Sequence, residues 1–499
     1  MIEAGMIPLF VAIPLAGAFL MPLVGKRVRS AVDGTGVMPV LAVFVMSVFT
    51  VMTLGSRDHA PIMTWSGGWA SALGIQLVID GLTSFMLLTV NLVAFLVVVY
   101  SVSYMERFTA KWKYYTLFLL MLAGMNGVVI TGDVFNLFVF LEIASIASYA
   151  LVAFGTERQE LEAAFKYAVM GSIGSLFILL AITILYSHTG TLNMADMAHR
   201  LQGPEGSAAG TAALVLFLAG FGLKSALVPF HAWLPDAHPS APAPISAMLS
   251  GVLIKTLGVY TICRLAFNVF GAVPEVLSIL LLLGLVSMSA GALLAMHQSD
   301  LKRMLAYSSI SQIGDIFLAV GTGTPLGIMA GLLHLFNHSM FKSLLFLDSG
   351  SIEHAAGTRN LKEMGGLGRR MPVTSWTMLT GSMSISGVPP FSGFWSKLLI
   401  IMACVQAGLW VPAVIAVVFS VVTLAYFMKA NRLALLGGVR EGLEAVIEAP
   451  AFMRLAMVAL ALVCILGGLL LLPGLREAFL GSATDVLTGG IITPGMMGR

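Results

Sequence analysis

Charge is what this sequence has least of. Only 10% of its 499 residues are Asp, Glu, Lys or Arg, against roughly 25% in soluble domains. With 58% hydrophobic residues and a mean hydropathy of +0.95, that scarcity excludes an ordinary water-soluble fold. Cysteine is nearly absent too. Cys263, Cys404 and Cys464 stand far apart, so no spacing could hold an iron–sulfur cluster or a zinc ion. No cofactor or metal is expected in the chain itself. The alternating short segments of a membrane β-barrel are missing, and the apolar runs are about 20 residues long, the length of a bilayer-crossing helix. The N-terminal MIEAGMIPLF lacks a basic region and a small-residue cleavage site, so it reads as a retained first helix. The net charge of +3 is scattered over short loops, and no nucleic-acid partner is expected.

What is present is an all-α polytopic membrane protein. Fourteen spans are expected, near 4–24, 36–55, 78–103, 114–131, 134–154, 163–187, 209–235 (broken), 243–264, 276–296, 302–321, 326–349, 373–404 (broken), 409–428 and 453–472. Eighteen of the 27 Lys and Arg residues, Lys302 among them, fall in one set of loops. Five (Arg57, Arg200, Arg264, Arg476 and Arg499) fall in the other. Basic loops stay in the cytoplasm, so both termini are expected on the non-cytoplasmic side of the inner (plasma) membrane.

The remaining four lysines lie inside apolar runs: Lys224, Lys255, Lys342 and Lys397. Glu142 lies in another, FNLFVFLEIASIASYALVAF. A charge at mid-bilayer costs about 2.5–3.5 kcal/mol on insertion scales. Repeating that cost five times suggests a buried ion or proton path. Glu142 and Lys224 could pair between neighbouring helices. His334, His338 and Lys342 follow one another at i+4 steps and share a helix face, and histidine is suited to passing protons. Two segments break the helical pattern. One holds Pro229, Pro235, Pro239, Pro242 and Pro244, the other Pro389 and Pro390. Inside a membrane such breaks survive only when buried or lining a cavity. The local likeness of Val-Pro-Phe-x-x-Trp (228–233) to Pro-Pro-Phe-x-x-x-Trp (389–395), each near one lysine, points to a repeated unit.

Plainer readings stand beside these. A lysine can snorkel to the interface. Glu142 could simply pair with Lys166, and the two histidines could be hydrogen-bonded core residues. Asp315, in the tenth span, is either a second acid of the relay or a polar residue at a subunit contact. Asp133, Asp236 and Asp348, near span ends, are expected at the interface.

LKSALVPFHAWLPDAHPSAPAPISAMLSGVLIKTLGVY, SDLKRMLAYSSISQIG, HSMFKSLLFLDSGSI and SGVPPFSGFWSKL resemble the antiporter-like subunits of the complex I superfamily. That group spans proton-pumping subunits of NADH–quinone oxidoreductase, large subunits of Mrp Na+/H+ antiporters and membrane subunits of energy-converting hydrogenases. The resemblance runs from about residue 80 to 430, with a context nearest the Mrp D-type and its hydrogenase relatives. It implies about fourteen helices in two inverted five-helix repeats, each with one broken helix. The implied division is 1–110, 111–268 (first repeat), 269–435 (second repeat) and 436–499. It also implies proton-path roles for Glu142 and Lys224 as a switch pair, and for Lys166, Lys255, His338, Lys342 and Lys397, to which His334 is added from its helix face. The expected central order is Lys255, His338, Lys397, and a Glu at position 397 is expected to keep part of the function. Asp315 departs from the family's usual uncharged residue, and Ser250 stands where the largest members carry a histidine.

The function expected is proton translocation within a multisubunit complex, of Mrp type or of a respiratory or hydrogenase type. The chain has no redox or catalytic centre of its own. Its partners are other membrane subunits, protons, the lipid bilayer and, in an Mrp-like assembly, Na+. The alternatives are a quinone- or haem-binding redox subunit and a stand-alone secondary transporter.

Overall fold

The computed structural model describes residues 2–57, 59–69, 74–108, 110–202 and 207–490. Helices α1 (Leu9–Arg27) and α2 (Val32–Gly55) lead to a hairpin of β1 (Ile62–Trp65) and β2 (Gln76–Ile79). The hairpin is antiparallel, with Ile62 opposite Ile79. There follow α3 (Gly81–Tyr104), α4 (Lys111–Ile130), α5 (Val134–Val152), α6 (Arg158–Thr189), the short α7 (Met194–Leu201), α8 (Ser207–Lys224) and α9 (Leu234–Ser240). Then come α10 (Ala243–Val269), α11 (Pro274–Met296), α12 (Leu301–Gly321), α13 (Pro325–Ala356), α14 (Pro372–Ser386), α15 (Ser392–Gln406), α16 (Trp410–Ala434) and α17 (Ala451–Leu471). A last short helix, α18 (Ser482–Thr488), folds back against α3 and α13. Among the described residues, eleven helices are long and apolar enough to cross a membrane.

Many boundaries follow from local chemistry. The Asp80, Asp133 and Asp300 side chains accept from the backbone N–H groups of Thr83, Asn136 and Arg303, capping α3, α5 and α12. These caps satisfy donors that a helix start leaves unpaired. Glu157 and Glu160 form a capping box on α6. Gly190 and Gly357, both left-handed, end α6 and α13.

Several expectations are corrected. The third span starts at Gly81, not 78, because residues 76–79 pair as a strand with 62–65. The α13 helix runs on to Ala356, so Asp348 is a fully buried residue rather than an interfacial one, and accepts from the Thr377 hydroxyl at 2.7 Å. Lys302 and Arg264, counted with the loops, are buried in helices. Arg499 lies outside the described residues.

Burial is uneven. The α10 helix is buried throughout and α12 nearly so, whereas α1, α2, α6, α11, α16 and α17 show apolar side chains to the surroundings. The α11–α12 contact shows how an inner helix is fixed. Lipid tails are as apolar as Leu, so helices associate through close packing at small residues. A Cβ added at Gly284 or Gly291 on α11 would lie 2.5 Å from the backbone nitrogen of Leu318 or Ser311 on α12. One added at Gly314 would meet the Met288 nitrogen. A Gly314→Val variant is therefore expected to lose about 1–3 kcal/mol, as overpacked sites do, and to unfold at lower temperature in detergent. An unchanged melting midpoint would show that the two backbones are not in contact. Gly314 precedes Asp315, so this seam also fixes where that carboxylate points.

Candidate functional site: a row of buried ionisable groups

The first group sits where α8 breaks. Lys224 is the last residue of α8, and the chain from Ser225 to Trp233 is not regular helix. Ala226 takes a left-handed φ of 56° there. The freed backbone groups find side-chain partners. The Trp233 indole donates to the Leu223 carbonyl at 3.1 Å, and the Val228 N–H donates to the Ser287 hydroxyl at 3.0 Å. The Lys224 ammonium lies 3.7 Å from the Glu142 carboxylate on α5. It donates to Ser145 Oγ at 3.0 Å and Tyr149 OH at 3.3 Å. Ser175 on α6 donates to the same Glu142 oxygen. Lys224 is buried, while the Glu142 side chain keeps 27% exposure at the side of the chain.

The second group is central. The Lys255 ammonium donates to the Ser250 carbonyl. The Lys342 ammonium donates to the Leu305 carbonyl at 2.7 Å and to the Ser308 hydroxyl. Among the described residues, neither lysine has a carboxylate within ion-pair distance, so backbone oxygens solvate both. The winding of α10 contributes: Leu249–Leu253, Lys255–Tyr260 and Arg264–Val269 are π-helical, a widening frequent at functional sites. His338 is fully buried, and neither ring nitrogen has a hydrogen-bond partner.

The third group closes the row. Asp315 on α12 lies 3.8 Å from both His334 Nε2 on α13 and Lys397 Nζ on α15. His334 Nδ1 is 2.9 Å from Ser396 Oγ, and its ring centroid is 6.4 Å from that of His338. The Gln312 amide and Asn337 Oδ1 are buried nearby on the same helices without partners. It is thus His334, and not His338, that shares the Asp315 carboxylate with Lys397.

Lys166 is not brought to this row. It is half exposed and pairs with Glu162 at 2.9 Å and Asp236 at 3.1 Å, tying α6 to α9. Glu142 therefore has Lys224, not Lys166, as its basic neighbour. Sequence reasoning left three features unused. One is the role of Asp315. Its distance along the chain from Lys397 is the 82 residues that separate Glu142 from Lys224, a signal that could have found it. The second is the Lys302–Glu353 pair at 2.7 Å, with Arg359 at 3.7 Å. Glu353 lies eleven residues past Lys342, three helical turns, and hence on the same face. The third is His238 on α9, fully buried against Phe346 with both ring nitrogens unpartnered. Among the described residues, no group of three His, Cys, Asp or Glu could hold a metal.

The profile described as "NADH:quinone oxidoreductase/Mrp antiporter, TM" matches residues 131–423, and one for the complex I chain 5 N-terminus matches 69–115. NADH-quinone oxidoreductase subunit N of Desulforudis audaxviator is 37% identical over 440 residues, covering 87% of this chain and 86% of the relative. The D-type Na(+)/H(+) antiporter subunit of Alkalihalophilus pseudofirmus is 34% identical, covering 73% and 74%. A chain of the Mrp complex from Dietzia sp. DQ12-45-1b superposes with a TM-score of 0.89 at 28% identity, over 99% of this chain and 98% of that one. Family profile, relatives and three-dimensional likeness agree, and the chain belongs to the NADH:quinone oxidoreductase/Mrp antiporter family of membrane subunits.

Proposed function

We propose that this chain is a proton-translocating, antiporter-like subunit of a multisubunit membrane complex. One observation carries the reading. Ionisable side chains too costly to bury without purpose gather in the interior: Lys224 beside Glu142, Lys255, Lys342 and His338 buried, and His334 and Lys397 both beside Asp315. While Glu142 stays at Lys224, the buried ammonium is balanced. Drawn toward a neighbour's charge, Glu142 leaves Lys224 uncompensated, and its field pushes on Lys255 and the histidines beyond. A proton passes only within about 3 Å or through one water. Buried polar atoms without protein partners, as at His338 and Gln312, call for water, and water would connect the groups.

Fourteen crossings are the count this reading uses: eleven long helices, α13, and the broken α8/α9 and α14/α15. Residues 111–268 and 269–435 then form two repeats, each with one acid–lysine pair beside its broken helix, while 1–110 and 436–499 flank them. The basic loops face the cytoplasm of a plasma membrane, and the termini face the other side. On the cytoplasmic side the Lys302–Glu353–Arg359 cluster borders a polar cavity of about 400 Å³, a fitting place for proton uptake, with His238 next inward. A partly exposed Glu142 is costly against lipid, so a neighbouring subunit is the expected cover. A redox partner would drive protons through the chain. In an Mrp-like assembly, Na+ would move in exchange. Lys166 serves this reading as a strut that holds α9.

Proton movement into proteoliposomes holding the assembled complex tests the reading. Because His334 bridges to Asp315, His334→Ala should slow transport by about tenfold or more, general acid–base groups being worth at least that. His338→Ala should slow it comparably. Full transport in both variants would remove the central relay.

A further inference from the structure

The opposite face carries a second cavity, of about 490 Å³, lined in part by Met63, Thr131, Met194 and Asp485. Its inner wall holds Asp80, Thr83, Arg264 and Asn268. Arg264 is almost wholly buried within α10. Its guanidinium donates to both Asp80 oxygens, at 2.7 and 2.9 Å. It also reaches Thr83 and Asn268 at 3.2 Å each, and Tyr260 OH at 3.3 Å. Tyr260 lies directly behind it, buried and off the cavity wall, and donates to the Val129 carbonyl. One π-helical segment, Lys255–Tyr260, separates that ring from the central lysine. Ser250, Lys255 and Tyr260 recur every five residues, so the widened winding stacks them toward one side of α10.

We propose that Arg264, Asp80 and Tyr260 form a gate between this cavity and Lys255. The inference rests on the proton-path reading above but goes beyond it, because it gives the first half a route of its own to the non-cytoplasmic side. A guanidinium held across a water-accessible path by a carboxylate does not give up its proton, and the pair interrupts the file of water. The Tyr260 ring fills the space behind the pair. The two sides of the gate differ in stiffness. Asp80 is held as the cap of α3, whereas Arg264 rides on a helix with three π-helical segments. A π turn carries an extra residue relative to an α turn, and moving that residue along the helix rotates everything between by roughly one position, about 100°. Such a register shift would swing Tyr260 and Arg264 aside together and admit water to Lys255.

Passive proton flux is the readout, measured in proteoliposomes holding the complex without its energy source. Arg264→Gln should raise that flux by about tenfold over the parent, the removal of a barrier of about 1.4 kcal/mol. Arg264→Lys, which keeps the positive charge, should leak less than Arg264→Gln. Parent-level flux in assembled Arg264→Gln would overturn the gate. Labelling decides independently, even if that variant fails to assemble. In a chain with Cys263, Cys404 and Cys464 replaced by Ala, a membrane-impermeant thiol reagent on the non-cytoplasmic side should modify Thr83→Cys and spare Thr256→Cys, one position from Lys255. Equal reaction of the two, or no reaction at Thr83→Cys, would also overturn it. Failure here is separable from failure of the broader reading. If Glu142→Gln stops driven transport while Arg264→Gln does not leak, only the gate is wrong. If the parent shows no driven transport, the broader reading fails.

Discussion

Glu142→Gln and Lys224→Ala should each reduce coupled proton movement by about two orders of magnitude or more, the range lost with a positioned proton-transfer group, while the complex still assembles. The carboxylate and ammonium are 3.7 Å apart, and each has other partners. Ser175 donates to Glu142, while Ser145 and Tyr149 accept from Lys224. Those bonds decide why assembly survives. A Gln at 142 still accepts from Ser175 but carries no charge to hold or release Lys224. An Ala at 224 removes the ammonium outright and leaves Glu142 its serine and its partial exposure. Removing one member of a fully buried pair costs about 3–5 kcal/mol. That is an upper bound here, because Glu142 is not fully buried. The measurement is the change in internal pH of proteoliposomes, beside gel filtration to score assembly. Parent-like transport by either assembled variant would mean that the pair is structural.

The second large effect is expected at Lys397, and the structure changes its form. Lys397→Ala should block transport. A Glu at 397, expected from sequence to keep part of the function, should now do no better than Ala. The reason is Asp315. Its carboxylate lies 3.8 Å from the lysine nitrogen in a site almost closed to solvent. Lys397→Glu would set two carboxyl groups against each other there, and like charges at that distance do not both stay ionised. Removing the conflict should restore some function, so Asp315→Asn combined with Lys397→Glu should outperform Lys397→Glu alone. A double-mutant cycle on transport rates measures this coupling directly. Substantial transport by Lys397→Glu alone, or strict additivity of the two changes, would show that Asp315 and Lys397 do not act as a pair.

Much of this protein was legible without coordinates because the determining physics is local. A bilayer demands apolar runs of a set length, so most of the eleven long apolar helices fall close to their expected bounds. Proline removes a backbone donor and kinks or ends a helix, so its clusters made the breaks around Pro229 and Pro390 visible, whereas Pro14, Pro22 and Pro39 stay inside α1 and α2. A lysine inside an apolar run is conspicuous wherever it points, which singled out Lys224, Lys255, Lys342 and Lys397. The β1–β2 hairpin and α7 were missed because they are short, polar in part, and held by contacts with distant segments. Arg264 and Lys302 were misread as loop residues because each sits at the end of an apolar run. Nothing local tells a side chain that turns outward to water from one that turns inward to Asp80 or Glu353. That His334 rather than His338 shares Asp315 with Lys397 depended on how α12, α13 and α15 are rotated against one another. That rotation is set by side-chain and glycine packing summed over whole helices, as at Gly284 and Gly314. The sequence by itself determined which lysines and histidines lie inside apolar runs. Only the tertiary structure decided which of them are partners, because ion pairs act over about 4 Å in space, whatever their separation along the chain.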